Sequence, residues 1–175
     1  MSVLPIVKYG DPILRKVLDP VTNFQSISNI LTDMFDTMYE LEGIGLAANQ
    51  IGLNLNLMII DISHTDETYP PTAFANGTIL DGSGKESMDE GCLSIPFLTL
   101  DLIRYNKIKV RYYDKIGKKI KKPLSGFLSR LFQHELDHLN GKLMLEHKNI
   151  NNTSMLPEDD KYKKLAIKLI NYLQN

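Results

Sequence analysis

The stretch Leu131-Phe132-Gln133-His134-Glu135-Leu136-Asp137-His138-Leu139 decides how this chain is read. Leu131, Phe132, Leu136 and Leu139 recur at the spacing of one helix face, which marks a helix packed into a core. Residues four apart on a helix stand one above the other, so His134 and His138 can reach a single metal ion. Glu135 lies about 100° round the helix from His134, near enough to serve a water at such an ion without binding the ion. Two helix histidines with ordinary hydrogen bonds would give the same letters. Ser125 can cap this helix and Gly141 can end it, so the spacing predicts a helix over 125–140.

Outward from this helix, the chain divides into short elements. Residues 1–25 read as irregular, broken by Pro5, Pro12 and Pro20. Ile27, Ile30, Leu31, Met34, Phe35, Met38 and Leu41 then form one apolar stripe, which predicts a helix ended by Gly43. Residues 43–52 read as a tight loop of small residues. Leu57–Ile62 reads as a buried strand, and residues 63–88 as turn-rich. Ile108, Val110 and Tyr112 alternate with Lys109, Arg111 and Tyr113, the period of a half-exposed strand. Lys115–Lys118 turns it back into a second strand over 119–124. Pro157 with Glu158, Asp159 and Asp160 suits the start of a last helix, over 157–175.

The 175 residues fit one domain, and no repeat or linker divides them. Hydrophobic residues are 43% and charged residues 23%, ordinary for a globular protein. A formal net charge of −1 gives no overall drive toward DNA or an anionic membrane. Cys92 is the one cysteine, so no intrachain disulfide forms, which fits a reducing compartment. Neither a secretory signal nor a bilayer-length apolar run is present. A soluble cytoplasmic protein is the expectation.

A catalytic divalent metal normally takes three protein ligands and keeps a position for water. A third histidine six residues beyond His138 is excluded, because that position is Met144. Glu158 could serve in the manner of a thermolysin-like protease, but its place at a helix start already accounts for it. The other candidate is Cys92, in Glu90-Gly91-Cys92-Leu93-Ser94-Ile95-Pro96. A lone cysteine is usually a small core hydrophobe. Here Gly91 lets the backbone approach closely, and acidic and hydroxyl groups flank the thiol, which is unusual for plain core. In Gly43-Ile44-Gly45-Leu46-Ala47-Ala48-Asn49-Gln50, the glycines would let a substrate backbone lie against the loop. The Gln50 amide could then donate to a developing oxyanion.

These three segments, in this order, resemble the three motifs of peptide deformylases, with a likeness spanning roughly residues 5–148. The resemblance implies an α+β fold, mainly antiparallel β-sheets around a central helix carrying His134 and His138. It implies metal ligation by Cys92, His134 and His138, with Glu135 as general base and Gln50 and the Leu93 N–H as oxyanion donors. Ile44, Gly45 and Gly91 would contact a formyl-methionyl nascent peptide. Iron(II) is the working ion in many members, often replaced by zinc or nickel; cobalt also suits two imidazoles and a thiolate. Ribosome contact through the last helix, with Lys161, Lys163, Lys164 and Lys168, is a further implication.

The chain departs from the family pattern in places. Asn76-Gly77 stands where Asn-Pro is typical. Thr99, seven residues after the cysteine, stands where many bacterial members carry arginine, although Arg104 matches a second basic position. Asn49 stands where a less bulky or hydroxyl residue is common. These departures bear on peptide affinity and motivate a competing reading, a peptide-binding protein that has lost turnover. A protease using Glu158 is the other competitor. His64 and His147 read as surface histidines, and the basic residues over 115–122 as a solvated turn.

Overall fold

A computed structural model describes residues 3–147 and 153–154. The predicted helix over 157–175, Glu158 included, lies outside the described residues. Helix α1 spans Ile27–Glu40 and α2 spans Gly126–Leu139. The strands are β1 Gly45–Ala47, β2 Leu57–Ile60, β3 Thr72–Cys92, β4 Ile95–Tyr113, β5 Lys119–Ser125 and β6 Thr153–Ser154. All described pairings are antiparallel, in the order β1-β2-β3-β4-β5, with β6 added beside β4. The architecture is α+β, as expected. Among the described residues no helix is long and apolar enough to cross a membrane.

The helices cover opposite faces of the short strands. Leu57 and Ile59 pack with α1, through Ile27, Leu31, Met34 and Met38. Met58 and Ile60 pack with Phe132 and Leu128 of α2. Covering both faces is why β2 is an unbroken apolar run rather than an alternating one. Each fully buried aliphatic side chain in these layers contributes roughly 1.5–3 kcal/mol. From Leu98 onward the buried residues of β4 are Leu98, Leu100, Leu102, Arg104, Ile108, Val110 and Tyr112, even-numbered positions on one face of a single long strand.

Several local readings are corrected. The region over 63–88 is not mainly turns; most of it is the first arm of the β3–β4 hairpin. Its burial pattern barely alternates, because residues 80–89 form an arm with little packed against it. The loop over 43–52 contains the edge strand β1 and a 3₁₀ turn, Ala48–Ile51. Ser125 makes no side-chain cap; Asn106 Oδ1 accepts from the Gly126 N–H instead, at 3.0 Å. After α1 the left-handed residue is Glu42, φ +54°, rather than Gly43. Gly43 is needed for another reason: a Cβ there would stand 3.0 Å from Leu93 Cδ1, against the hairpin tip.

Candidate active site

The two-residue turn Leu93–Ser94 joins β3 to β4, so Cys92 sits at the hairpin tip, paired with Ile95. That tip meets α2. His134 and His138 are one helical turn apart, with ring centroids 5.2 Å apart. Cys92 Sγ lies 3.2 Å from His138 Nε2, and the donor atoms of Cys92, His134 and His138 all fall within 4.8 Å of one another. Burial pushes the Cys92 thiol up, but the two imidazoles outweigh this and hold it well below the ordinary thiol value. Burial also opposes charge on His134, yet the thiol and Glu90 raise it well above the ordinary imidazole value. Two imidazoles and an acidified thiol converging this closely fit one borderline-soft divalent ion.

Glu90 fixes how His134 is presented. Its Oε2 lies 3.0 Å from His134 Nδ1, which leaves Nε2 for the cluster, the usual outer contact of a ligating histidine. The carboxylate is buried and held by Arg104 at 2.6 and 2.9 Å and by Arg130 at 2.6 Å. Burial alone would raise the Glu90 carboxyl, but His134 and Arg104 pull it down to about 2. Arg104 also reaches Asp137 Oδ2 at 2.8 Å, and His147 Nε2 contacts the same oxygen at 2.7 Å. His147 is thus part of a buried-to-surface network, not an isolated surface histidine; His64 is exposed, as expected. Sequence reading missed Glu90 and Arg130 as supports. Their only signal was charge at positions that a core helix and a hairpin tip would bury.

Glu135 is buried, and its Oε2 has no hydrogen-bond partner among the described residues. Burial raises its carboxyl above the ordinary value, with His134 and His138 opposing. Gly45 faces it: a Cβ there would come within 2.5 Å of Glu135 Oε1. Gln50 is held on its other side. Its Oε1 accepts from the Ala47 N–H at 2.8 Å, which turns Nε2 toward Cys92 Sγ at 3.6 Å and Ser94 Oγ at 3.3 Å. The N-terminal segment laces these parts together: the Val7 N–H donates to Gln50 O, Lys8 Nζ to Leu93 O, and the Tyr9 N–H to Ser94 O, at 2.8 to 2.9 Å. A cleft of about 620 Å³ opens onto the cluster, walled by Ile44, Gly45, Gln50, Gly91, Leu93 and Glu135 among others.

Residues 3–154 match the family model described as polypeptide deformylase. The chain belongs to the polypeptide deformylase family. A peptide deformylase from Brucella suis is 42% identical over 171 residues, 95% of either chain. One from Aquifex aeolicus is 44% identical, over 79% of this chain and 83% of its own. Among solved structures, a peptide deformylase from Synechococcus elongatus in complex with actinonin has a TM-score of 0.80 at 38% identity, covering 85% of this chain and 81% of that one.

Within this deformylase fold the departures have local explanations. Asn76 adopts φ +53°, and its side chain bonds Val21 twice, Oδ1 from the N–H at 2.8 Å and Nδ2 to the carbonyl at 2.9 Å. A Cβ on the next residue, Gly77, would lie 3.2 Å from Phe132 Cζ. Thr99 lies in β4 opposite Gly91 and beside Ser154 of β6, at the cleft wall. Arg104 is buried in the Glu90 cluster rather than presented to the cleft.

Proposed function

We propose that this chain is a metal-dependent hydrolase that removes the formyl group from the N-terminal methionine of new polypeptides. The observation that carries this is the convergence of Cys92, His134 and His138 beside buried Glu135, whose Oε2 has no partner among the described residues, at a cleft lined by Cys92, His134 and Glu135. Cys92, His134 and His138 would hold the ion. When bound there, a divalent ion supplies Lewis acidity and a water that is nucleophilic near neutral pH. Glu135 holds the proton taken from the attacking water and hands it to the departing amine as formate leaves. The Gln50 amide and the Leu93 N–H donate to the oxygen that gains charge; losing one such donor typically costs about 10²–10³ in rate.

The substrate is read as a strand. β1 pairs with β2 on one side and is the first strand in the sheet order. Its outer edge at Gly45, just after Ile44 whose carbonyl already accepts from the Asp61 N–H at 2.9 Å, supports backbone pairing with a peptide. Gly91 permits approach from the opposite wall, and Ile44, Leu131 and Phe127 offer the methionine side chain an apolar lining. The donor set suits iron(II), with zinc, nickel and cobalt as substitutes. We take residues 1–175 as one catalytic domain acting in the cytoplasm. Residues 157–175 are its proposed ribosome contact; unchanged pelleting with ribosomes after their removal would rule this out.

The test of function is formate release from a formyl-Met peptide by protein prepared anaerobically, with metal assayed on the same sample. Turnover in proportion to bound metal supports the reading. Bound metal and tight peptide binding with no formate would replace it with the binding-protein reading. Glu135→Gln should keep the metal and lose most turnover.

A further inference from the structure

His134 has an outer acceptor in Glu90, but His138 Nδ1 is buried with no partner among the described residues. A second buried orphan, Oδ1 of Asn49, belongs to a residue already bonded to it. Asn49 is fully buried in the 3₁₀ turn before Gln50, and its Nδ2 donates to the His138 carbonyl at 2.8 Å. A carbonyl oxygen only accepts, so the orientation of the amide is fixed and Oδ1 is the atom left over, an acceptor. His138 presents Nε2 to Cys92 Sγ at 3.2 Å, on the side where the three donors converge. With Nε2 committed there, a neutral imidazole carries its proton on Nδ1, so the atom left over on His138 is a donor. The two orphans are complementary, and ligating histidines almost always donate their second N–H.

We propose that Asn49 is the positioning residue for His138: its Nδ2 ties the last turn of α2 to the turn carrying Gln50, and its Oδ1 accepts from His138 Nδ1–H. That contact is made directly or through one trapped water. The inference rests on the metal reading above. It explains why a carboxamide stands at this position, since the role needs a donor and an acceptor on one short side chain. A threonine hydroxyl could supply one contact at a time. It also makes the site asymmetric: Glu90 polarises His134 with a full charge, whereas Asn49 offers His138 a neutral dipole. Because Asn49 and Gln50 are consecutive, the ligand helix and the oxyanion donor are set by one turn.

The competing explanation is that Asn49 only fastens the end of α2. The two are separated by proton NMR of the zinc-loaded, imidazole-labelled full chain, with cobalt affinity measured by chelator competition. The parent should show two slowly exchanging imidazole Nδ1–H signals, one from each ligand histidine. Asn49→Leu should lose the His138 signal, keep that of His134, and bind cobalt about 10–100-fold more weakly. Asn49→Thr should fall between, and decides the matter if the leucine variant does not fold. A parent lacking a protected His138 Nδ1–H overturns the proposal without any variant. So does a variant that keeps both signals and the parental cobalt affinity. A parent that binds no zinc or cobalt instead overturns the metal reading, and this inference with it.

Discussion

Gly45→Ala tests the placement of the proposed general base, Glu135, more sharply than changing that residue itself. A Cβ on Gly45 would stand 2.5 Å from Glu135 Oε1, 3.1 Å from Cδ and 3.3 Å from Cγ. Ordinary contact begins at 3.4 Å, so the carboxylate must retreat by 3.4 − 2.5 = 0.9 Å. All three of the nearest atoms belong to Glu135, and none to a proposed ligand. A misplacement of about 1 Å in a reacting group costs about 10²-fold, or about 3 kcal/mol of transition-state stabilisation. The loss should fall on kcat, because the base acts after binding. Metal content should stay at that of the parent. Thermal stability should fall modestly: crowding a buried site costs about 1–3 kcal/mol, offset in part by the narrower unfolded ensemble of alanine, about 0.4–1 kcal/mol. The assay is steady-state formate release on metal-matched, anaerobic samples of both proteins. A variant with full metal and kcat within about threefold of the parent would refute the reasoning, as would a loss confined to KM.

Cys92→Ala should abolish stable metal binding; retention of the full metal complement through gel filtration would remove the thiol from the site. The Glu90 carboxyl is depressed from 4.5 to about 2, so its stabilising contribution is complete above pH 4.5 and drains away as pH falls toward 2. The shift corresponds to about 3 kcal/mol. Urea unfolding of the metal-free parent should therefore lose stability over that window more steeply than Glu90→Gln does, and parallel curves would contradict the network. Asn76→Ala removes two hydrogen bonds to Val21 and places alanine at φ +53°. A loss of about 2–4 kcal/mol is expected in chemical denaturation, and no measurable loss would contradict the double bond to Val21.

Much of the site was legible because its signals were local. The spacing of His134 and His138 and the apolar stripe around them specify a helix and a common face by periodicity alone. The same holds for α1, whose buried residues Ile27, Leu31, Met34 and Met38 keep helical spacing. The long hairpin was hidden for a physical reason. Its second arm keeps one face inward from Leu98 to Tyr112, but Arg104 and the half-buried Asn106 interrupt the apolar row. Its first arm projects from the core, and Gly82 and Gly84 within it read as turns. Gly82 is there because a Cβ would strike the Tyr105 ring across the ladder, at 2.6 Å. That contact is made with a residue far along the chain, which no local pattern records. Glu90, Arg130 and Arg104 were obscure for the same cause: their burial is repaid by one another, across three elements. Three residues, two of them small, carry no period, so the sequence alone suggests a loop at β1; pairing with β2 makes it a strand.

X-ray absorption on zinc-loaded protein measures the central claim most directly, because it reports which atoms surround the ion. One sulfur at about 2.3 Å and two imidazole nitrogens at about 2.0–2.1 Å are predicted, at one zinc per chain, with the sulfur lost in Cys92→Ala. A spectrum with no sulfur neighbour, or one unchanged by that substitution, would contradict the account.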